Sequence, residues 1–220
     1  ANFDRLSILN WDTLSGRPVY GIIQYSASFL VASIERLALL RGVAIILLIF
    51  TGYYLYTLCQ KYQLMENQAQ RITFALLLCL LPSFQVYIAW ASCFPYIAAI
   101  LLAGASYHFS TKPGVTDRVS AVCLLTVAFC LYQPAAMSFP FFAALDLCLS
   151  ARKIDRKRAA ISLIVLGAGM FAALLASKVL PVQLYGHTLP RSAFSYDVPA
   201  KLSWFFTEYL KNVICNFDLG

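Results

Sequence analysis

The sequence predicts an all-α fold, a multi-pass bundle of transmembrane helices with interfacial helices beside it. Three observations lead there. Hydrophobic residues make up 60% of the 220 and charged residues only 12%, against about a quarter charged in an ordinary soluble domain. Mean hydropathy is +0.71. Between residues 42 and 180 lie six apolar stretches whose connections alternate in charge: 61–71, 112–118 and 152–158 are basic, whereas 83–92 and 132–140 carry no charged side chain. A chain threaded repeatedly through a bilayer has this pattern, because short cytoplasmic loops retain Lys and Arg.

The opening segment, 1–18, is polar and is expected to be an extracytoplasmic loop. The next, 19–41, is apolar but interrupted, and Gln24, Ser28 and Glu35 project within roughly 40° of one another at helical periodicity. An interfacial amphipathic helix is predicted there. Six transmembrane helices are expected over 42–180, the middle four short, since a crossing takes about 20 apolar residues. Pro82, Pro95, Pro134 and Pro140 stand at the uncharged turns, where a residue without an N–H breaks a helix at least cost. Counting crossings from the basic loops places 1–41 and 181–220 on one, outer side. The closing stretch 181–220 reads as an outer loop followed by an amphipathic segment over 203–215. A first residue that is not Met and a last stretch without a closing feature give the expectation of a fragment of a longer membrane protein.

The net charge of +7 resides in short loops rather than on a basic face interleaved with aromatics, so nucleic acid is not an expected partner. The seven cysteines show neither a CxxC nor a Cys/His spacing, which argues against a structural metal or a disulfide framework. Membrane lipids are the partner that composition implies.

Chemistry concentrates in the opening segment, where Asp4, Arg5, Asn10, Trp11, Asp12, Arg17 and Tyr20 crowd together. An ionised Asp takes a proton from a sugar hydroxyl or holds a divalent cation, and Arg grips phosphate through paired hydrogen bonds. Solvated surface charge is the competing reading. Trp11 suits stacking on a sugar ring or anchoring at the headgroup layer, and Gly16-Arg17-Pro18 reads as a turn that offers Arg17 to a phosphate. Tyr132-Gln133-Pro134 ends a predicted span on the same side, as aromatic belt and backbone cap or as substrate contacts. Gln85, Tyr87 and Trp90 in the other uncharged turn have the same two readings. Asp146 is an acid within a predicted span, near enough to Arg152 or Lys153 for an ion pair.

Asp4-Arg5, Trp11, Gly16-Arg17-Pro18 and Tyr132-Gln133-Pro134, in that order, resemble the polytopic glucosyltransferases that modify bacterial O-antigen. The resemblance covers most of the chain and implies a GT-C-like membrane glycosyltransferase of the bacterial inner membrane, facing the periplasm or exterior. It would move a hexose, glucose by analogy, from a polyprenyl-phosphate donor to a cell-surface glycan acceptor. Where that family carries an acidic pair ahead of the arginine, this chain shows Asp4 alone. The resemblance thus points to Asp4 as the catalytic acid, with Asp12 as the fallback. It casts Arg5 or Arg17 for the departing phosphate, with Arg191 from the later loop as helper, and Tyr132 and Gln133 for the sugar. No organic cofactor is implied; a divalent cation, Mg or Mn, is compatible with the acids. A transporter or lipid-linked-sugar flippase, and a non-catalytic membrane subunit, remain as rival readings.

Overall fold

A computed structural model describes residues 5–31, 33–149, 156–186 and 197–209. The chain divides into two compact units, Ala1–Thr188 and Leu189–Gly220. In the first, helices α1 (Arg5–Leu14) and α2 (Pro18–Leu30) precede α3 (Leu37–Lys61), α4 (Gln68–Cys79), α5 (Pro82–Ala89), α6 (Phe94–Ser110), α7 (Val115–Leu131), α8 (Gln133–Ala136), α9 (Ser138–Leu149) and α10 (Arg156–Tyr185). The second contains α11 (Val198–Trp204), capped by the Asp197 carboxylate on the Ala200 N–H and continued by a π-turn over Phe205–Tyr209. The rest of the segment predicted over 203–215 lies outside the described residues. No strand occurs among the described residues.

Among the described residues, three helical stretches are long and apolar enough to cross a membrane: α3, Ala91–Ser110 (a 3-10 turn leading into α6) and α10. The pair α4 and α5, bent by 58°, makes a fourth if it is one broken span. At 25 and 30 residues, α3 and α10 extend about 38 and 45 Å, beyond a hydrocarbon core of about 30 Å. The middle helices α4, α7 and α9 have 12, 17 and 12 residues. Large apolar side chains face outward along the long helices, among them Ile45, Ile49, Phe50, Ile164 and Phe171. That arrangement is favourable only where lipid is the solvent.

Large side chains such as Phe139, Ile97 and Leu131 fill the interior, but the closest helix seam is built from small residues. Ala99, Ala103, Ser106, Ala121 and Ala128 are fully buried where α6 and α7 meet, and the Ser106 hydroxyl donates to the Ala121 carbonyl at 2.7 Å. A Cβ on Gly169 of α10 would lie 3.0 Å from Leu125 of α7. Membrane helices associate through such close backbone approach, because burial from water supplies no drive between them.

The prolines act as anticipated: Pro82, Pro95 and Pro134 each occupy the first turn of a helix, where the missing N–H costs nothing. Two boundaries differ from expectation. The interfacial helix predicted over 19–41 is two pieces: α2 stops at Leu30, and α3 begins at Leu37, taking in Arg41 and Gly42. The break lets Ala27 of α2 and Leu40 of α3 share one apolar cluster with Ala91, a tertiary contact that outweighs helix continuity. Glu35 consequently leaves the face carrying Gln24 and Ser28, lying instead in a 3-10 turn over Ile34–Arg36. At the other boundary α10 runs through Pro181 to Tyr185, and Pro181 is buried within the bundle.

Candidate functional site

The opening residues form a helix rather than a loop, and its ending fixes the geometry. Gly16 takes a left-handed φ of +83°. Its N–H bonds the Thr13 carbonyl at 3.0 Å, and the Arg17 N–H bonds the Asp12 carbonyl at 2.9 Å. These two bonds make the paired closure that glycine permits at a helix C-terminus. Pro18 then starts α2 at once, so Gly16-Arg17-Pro18 is a stop and restart that holds Arg17 beside the last turn carrying Asp12. The two helices touch closely: a Cβ on Gly21 would sit 3.0 Å from that of Asp12. The turn also rests on α10, with Ser177 3.4 Å from the corresponding point on Gly16.

Arg17 extends over the ring of Tyr132 at the end of α7, 5.5 Å from its centroid. Tyr132 stacks on Tyr96 of α6 at 3.7 Å and 12°. Tyr20 lies against Tyr96 at 5.6 Å, and Tyr87 meets Tyr96 and Tyr132 edge-on at 5.4 and 6.4 Å. The Tyr20 hydroxyl donates to the Ser92 carbonyl at 3.1 Å, and the Gln24 amide donates to the same oxygen. Farther along α1, Asn10 accepts a 2.7 Å bond from the Tyr185 hydroxyl at the end of α10. The opening segment and the Tyr132 corner therefore share one rim, built from α1, α2, α6, α7 and α10.

Burial raises the Asp12 carboxyl above the ordinary carboxylate value, and the Arg17 charge opposes that rise. Burial likewise pushes the Tyr20 phenol up, helped by the rings and the Asp12 charge around it. Among the described residues Arg17 has no carboxylate within ion-pair distance. Its charge meets an aromatic face and a half-desolvated acid.

The other predicted site residues are distributed differently. Trp11 is 57% exposed. Gln133, next to Tyr132 in sequence, lines a groove of about 430 Å³ with Met137, Met170 and Ser177, to which Tyr132 does not contribute. Asp4, Arg191 and the side chain of Arg5 lie outside the described residues. Gln85 bonds the Cys79 carbonyl at 3.3 Å, a helix-end contact, and Trp90 is exposed. No group of three His, Cys, Asp or Glu side chains able to hold a metal comes together among the described residues.

Tyr96 and Tyr185 were not singled out from sequence. Tyr96 follows Pro95 at the start of a helix in an uncharged turn, the same context that drew attention to Tyr132. Tyr185 gave no such sign, because it depends on α10 continuing past Pro181.

At the opposite end of the bundle Asp146 is 3% exposed. It pairs with Arg158 at 3.4 Å and Lys61 at 3.6 Å and accepts a bond from the Tyr62 hydroxyl. Its cations come from α3 and α10; Arg152 and Lys153 lie outside the described residues. The Tyr107 hydroxyl of α6 bonds it as well, so the acid ties α3, α6, α9 and α10 together.

No family model, curated protein or solved structure matches the chain at a significant level.

Proposed function

We propose that the chain is a membrane glycosyltransferase, or the catalytic part of one, that moves a hexose from a polyprenyl-phosphate donor to a glycan hydroxyl at the rim carrying Asp12 and Arg17. The observation that supports this most is Arg17, its charge without a carboxylate partner among the described residues, held between Tyr132 and Asp12. A cation fixed there before substrate arrives suits a phosphate, and an acid of raised pKa one turn away suits a proton acceptor.

In the proposed reaction the acceptor oxygen forms a bond to the anomeric carbon while the carbon–oxygen bond to the lipid phosphate breaks. The hydroxyl proton passes to the Asp12 carboxylate, and the phosphate departs with the electron pair beside Arg17. Trp11 and the exposed edge of the tyrosine stack offer aromatic surface to the sugar. Glucose, an O-antigen acceptor, the bacterial inner membrane and a GT-C-like arrangement rest on the family resemblance.

Membranes containing the protein, supplied with a polyprenyl-phosphate hexose and a glycan acceptor, test this. Asp12→Asn is expected to lower transfer about 10²- to 10⁴-fold, the usual worth of a general base, while Asp4→Asn tests the alternative acid. Unchanged transfer in both variants refutes the assignment of a catalytic aspartate.

A further inference from the structure

At the basic end, α7 and α10 run side by side in the same direction and leave a groove of about 320 Å³ between their first turns, lined by residues that include Val119, Val122, Ile161, Ile164 and Arg118. Its walls are aliphatic and outward-facing: Val115, Val119 and Ile164 are 75%, 57% and 68% exposed. The one charged residue in it is Arg118. Its Nε is buried and has no hydrogen-bond partner. The side chain is half-exposed, so its guanidinium brings an unneutralised positive charge to the mouth of an otherwise aliphatic groove, a setting that favours an anion. The nearest acid on α7, Asp117, faces Lys112 at 4.0 Å and lies off the helix face that Arg118 shares with Val115, Val119 and Val122.

From this geometry we infer that the groove binds an anionic phospholipid, with the headgroup phosphate on Arg118 and one acyl chain along Val119, Val122, Ile161 and Ile164. Charge complementarity selects the occupant. An aliphatic cleft that opens sideways accepts a hydrocarbon chain, and a cation at the end where the basic turns gather sits at headgroup depth. A zwitterionic lipid fills the groove and brings a phosphate too, but its own cation offsets that charge, so a headgroup of net negative charge is favoured beside Arg118. The site lies at the opposite end of α7 from Tyr132 and does not depend on the proposed transfer reaction.

The full chain, reconstituted in bilayers of equal phosphatidylglycerol and phosphatidylcholine and released for native mass spectrometry, tests this. Retained phosphatidylglycerol is expected to exceed phosphatidylcholine. Arg118→Gln is expected to reduce that preference about fivefold, the worth of one basic residue near a charged headgroup, and Arg118→Lys to keep most of it. Val119→Trp, on an exposed wall, obstructs the chain and is expected to lower retention without disturbing the fold. Unaltered preference in Arg118→Gln and Val119→Trp overturns the proposal. So does displacement by millimolar inorganic phosphate, which would reveal a simple anion site, or a second copy of the chain retained in place of lipid.

Discussion

Replacing Gly104 with Ala adds a methyl where α6 meets α3. The new carbon would lie 2.6 Å from Cε1 and 2.9 Å from Cζ of Tyr54, too close for either atom to stay where it is. The ring cannot swing aside cheaply: it packs edge-on against Phe142 at 5.3 Å, and its hydroxyl donates to the carbonyl of Gly104 itself at 3.1 Å. Overpacking of this kind costs about 1–3 kcal/mol, and losing the hydroxyl bond about 1 kcal/mol more. The better helix propensity of Ala returns about 1 kcal/mol. The net expectation is a loss of about 1–3 kcal/mol. Gly42→Ala and Gly167→Ala supply the contrast, since a Cβ at either meets nothing within 4 Å; both are expected to be neutral or to stabilise by up to about 1 kcal/mol. Unfolding in mixed micelles, titrated with SDS and followed by circular dichroism, gives the three values under one condition. Gly104→Ala as stable as Gly42→Ala would refute the close approach of α3 and α6. Adding Tyr54→Leu to Gly104→Ala should recover part of the loss, because it removes the ring that the methyl strikes.

Asp12 carries a second prediction. Its folded-state pKa is raised by burial and held down by Arg17, so the acid limb of transfer activity should lie above the ordinary aspartate value of 3.8 and move to still higher pH in Arg17→Gln. The same sign applies to stability: the contribution of Asp12 is present below its unfolded pKa and is lost as pH rises through the folded one. A limb unmoved by Arg17→Gln would disconnect the two residues. The topology is tested by single cysteines in a cysteine-free background. Trp90→Cys, at the tyrosine end, should react with an impermeant maleimide from outside intact cells, and Glu66→Cys, in a basic turn, only after lysis. The opposite pattern reverses the orientation and sets the Asp12 rim facing the cytoplasm.

Helical class was legible in composition and in the charge alternation, and the helix starts were legible in the prolines, because both signals are local. Gly16-Arg17-Pro18 was legible as a turn for the same reason. What it does, clamping Arg17 to the last turn of α1, was not, since that requires the residues before it to be helical. Boundaries failed where tertiary contact decides them. Nothing in residues 31–36 breaks a helix as Pro or Gly would; the break serves the cluster of Ala27, Leu40 and Ala91. Pro181, a usual terminator, is carried inside α10, whose end is tied back to α1 through Tyr185 and Asn10. In lipid both faces of a helix are apolar, so periodicity cannot say which side packs, and the place of Gln133 in a groove that Tyr132 does not line was beyond its reach.

The two ends of the bundle treat charge in opposite ways, and that contrast bears on where substrate would go. At the basic end the buried Asp146 has two cations and two phenols, Tyr62 and Tyr107, around it, so its charge is spent within the fold and joins α3, α6, α9 and α10. At the tyrosine end Arg17 receives an aromatic face from Tyr132 and faces Asp12, whose ionised form burial disfavours. A ring face compensates a guanidinium less than a carboxylate does. Among the described residues no carboxylate pairs with Arg17, as the proposed contact with a phosphate from outside the chain requires. Were Arg17 only a structural anchor, Arg17→Lys would preserve its function; if it grips a phosphate through two N–H groups, lysine, with a single point charge, should weaken donor binding while leaving the fold intact.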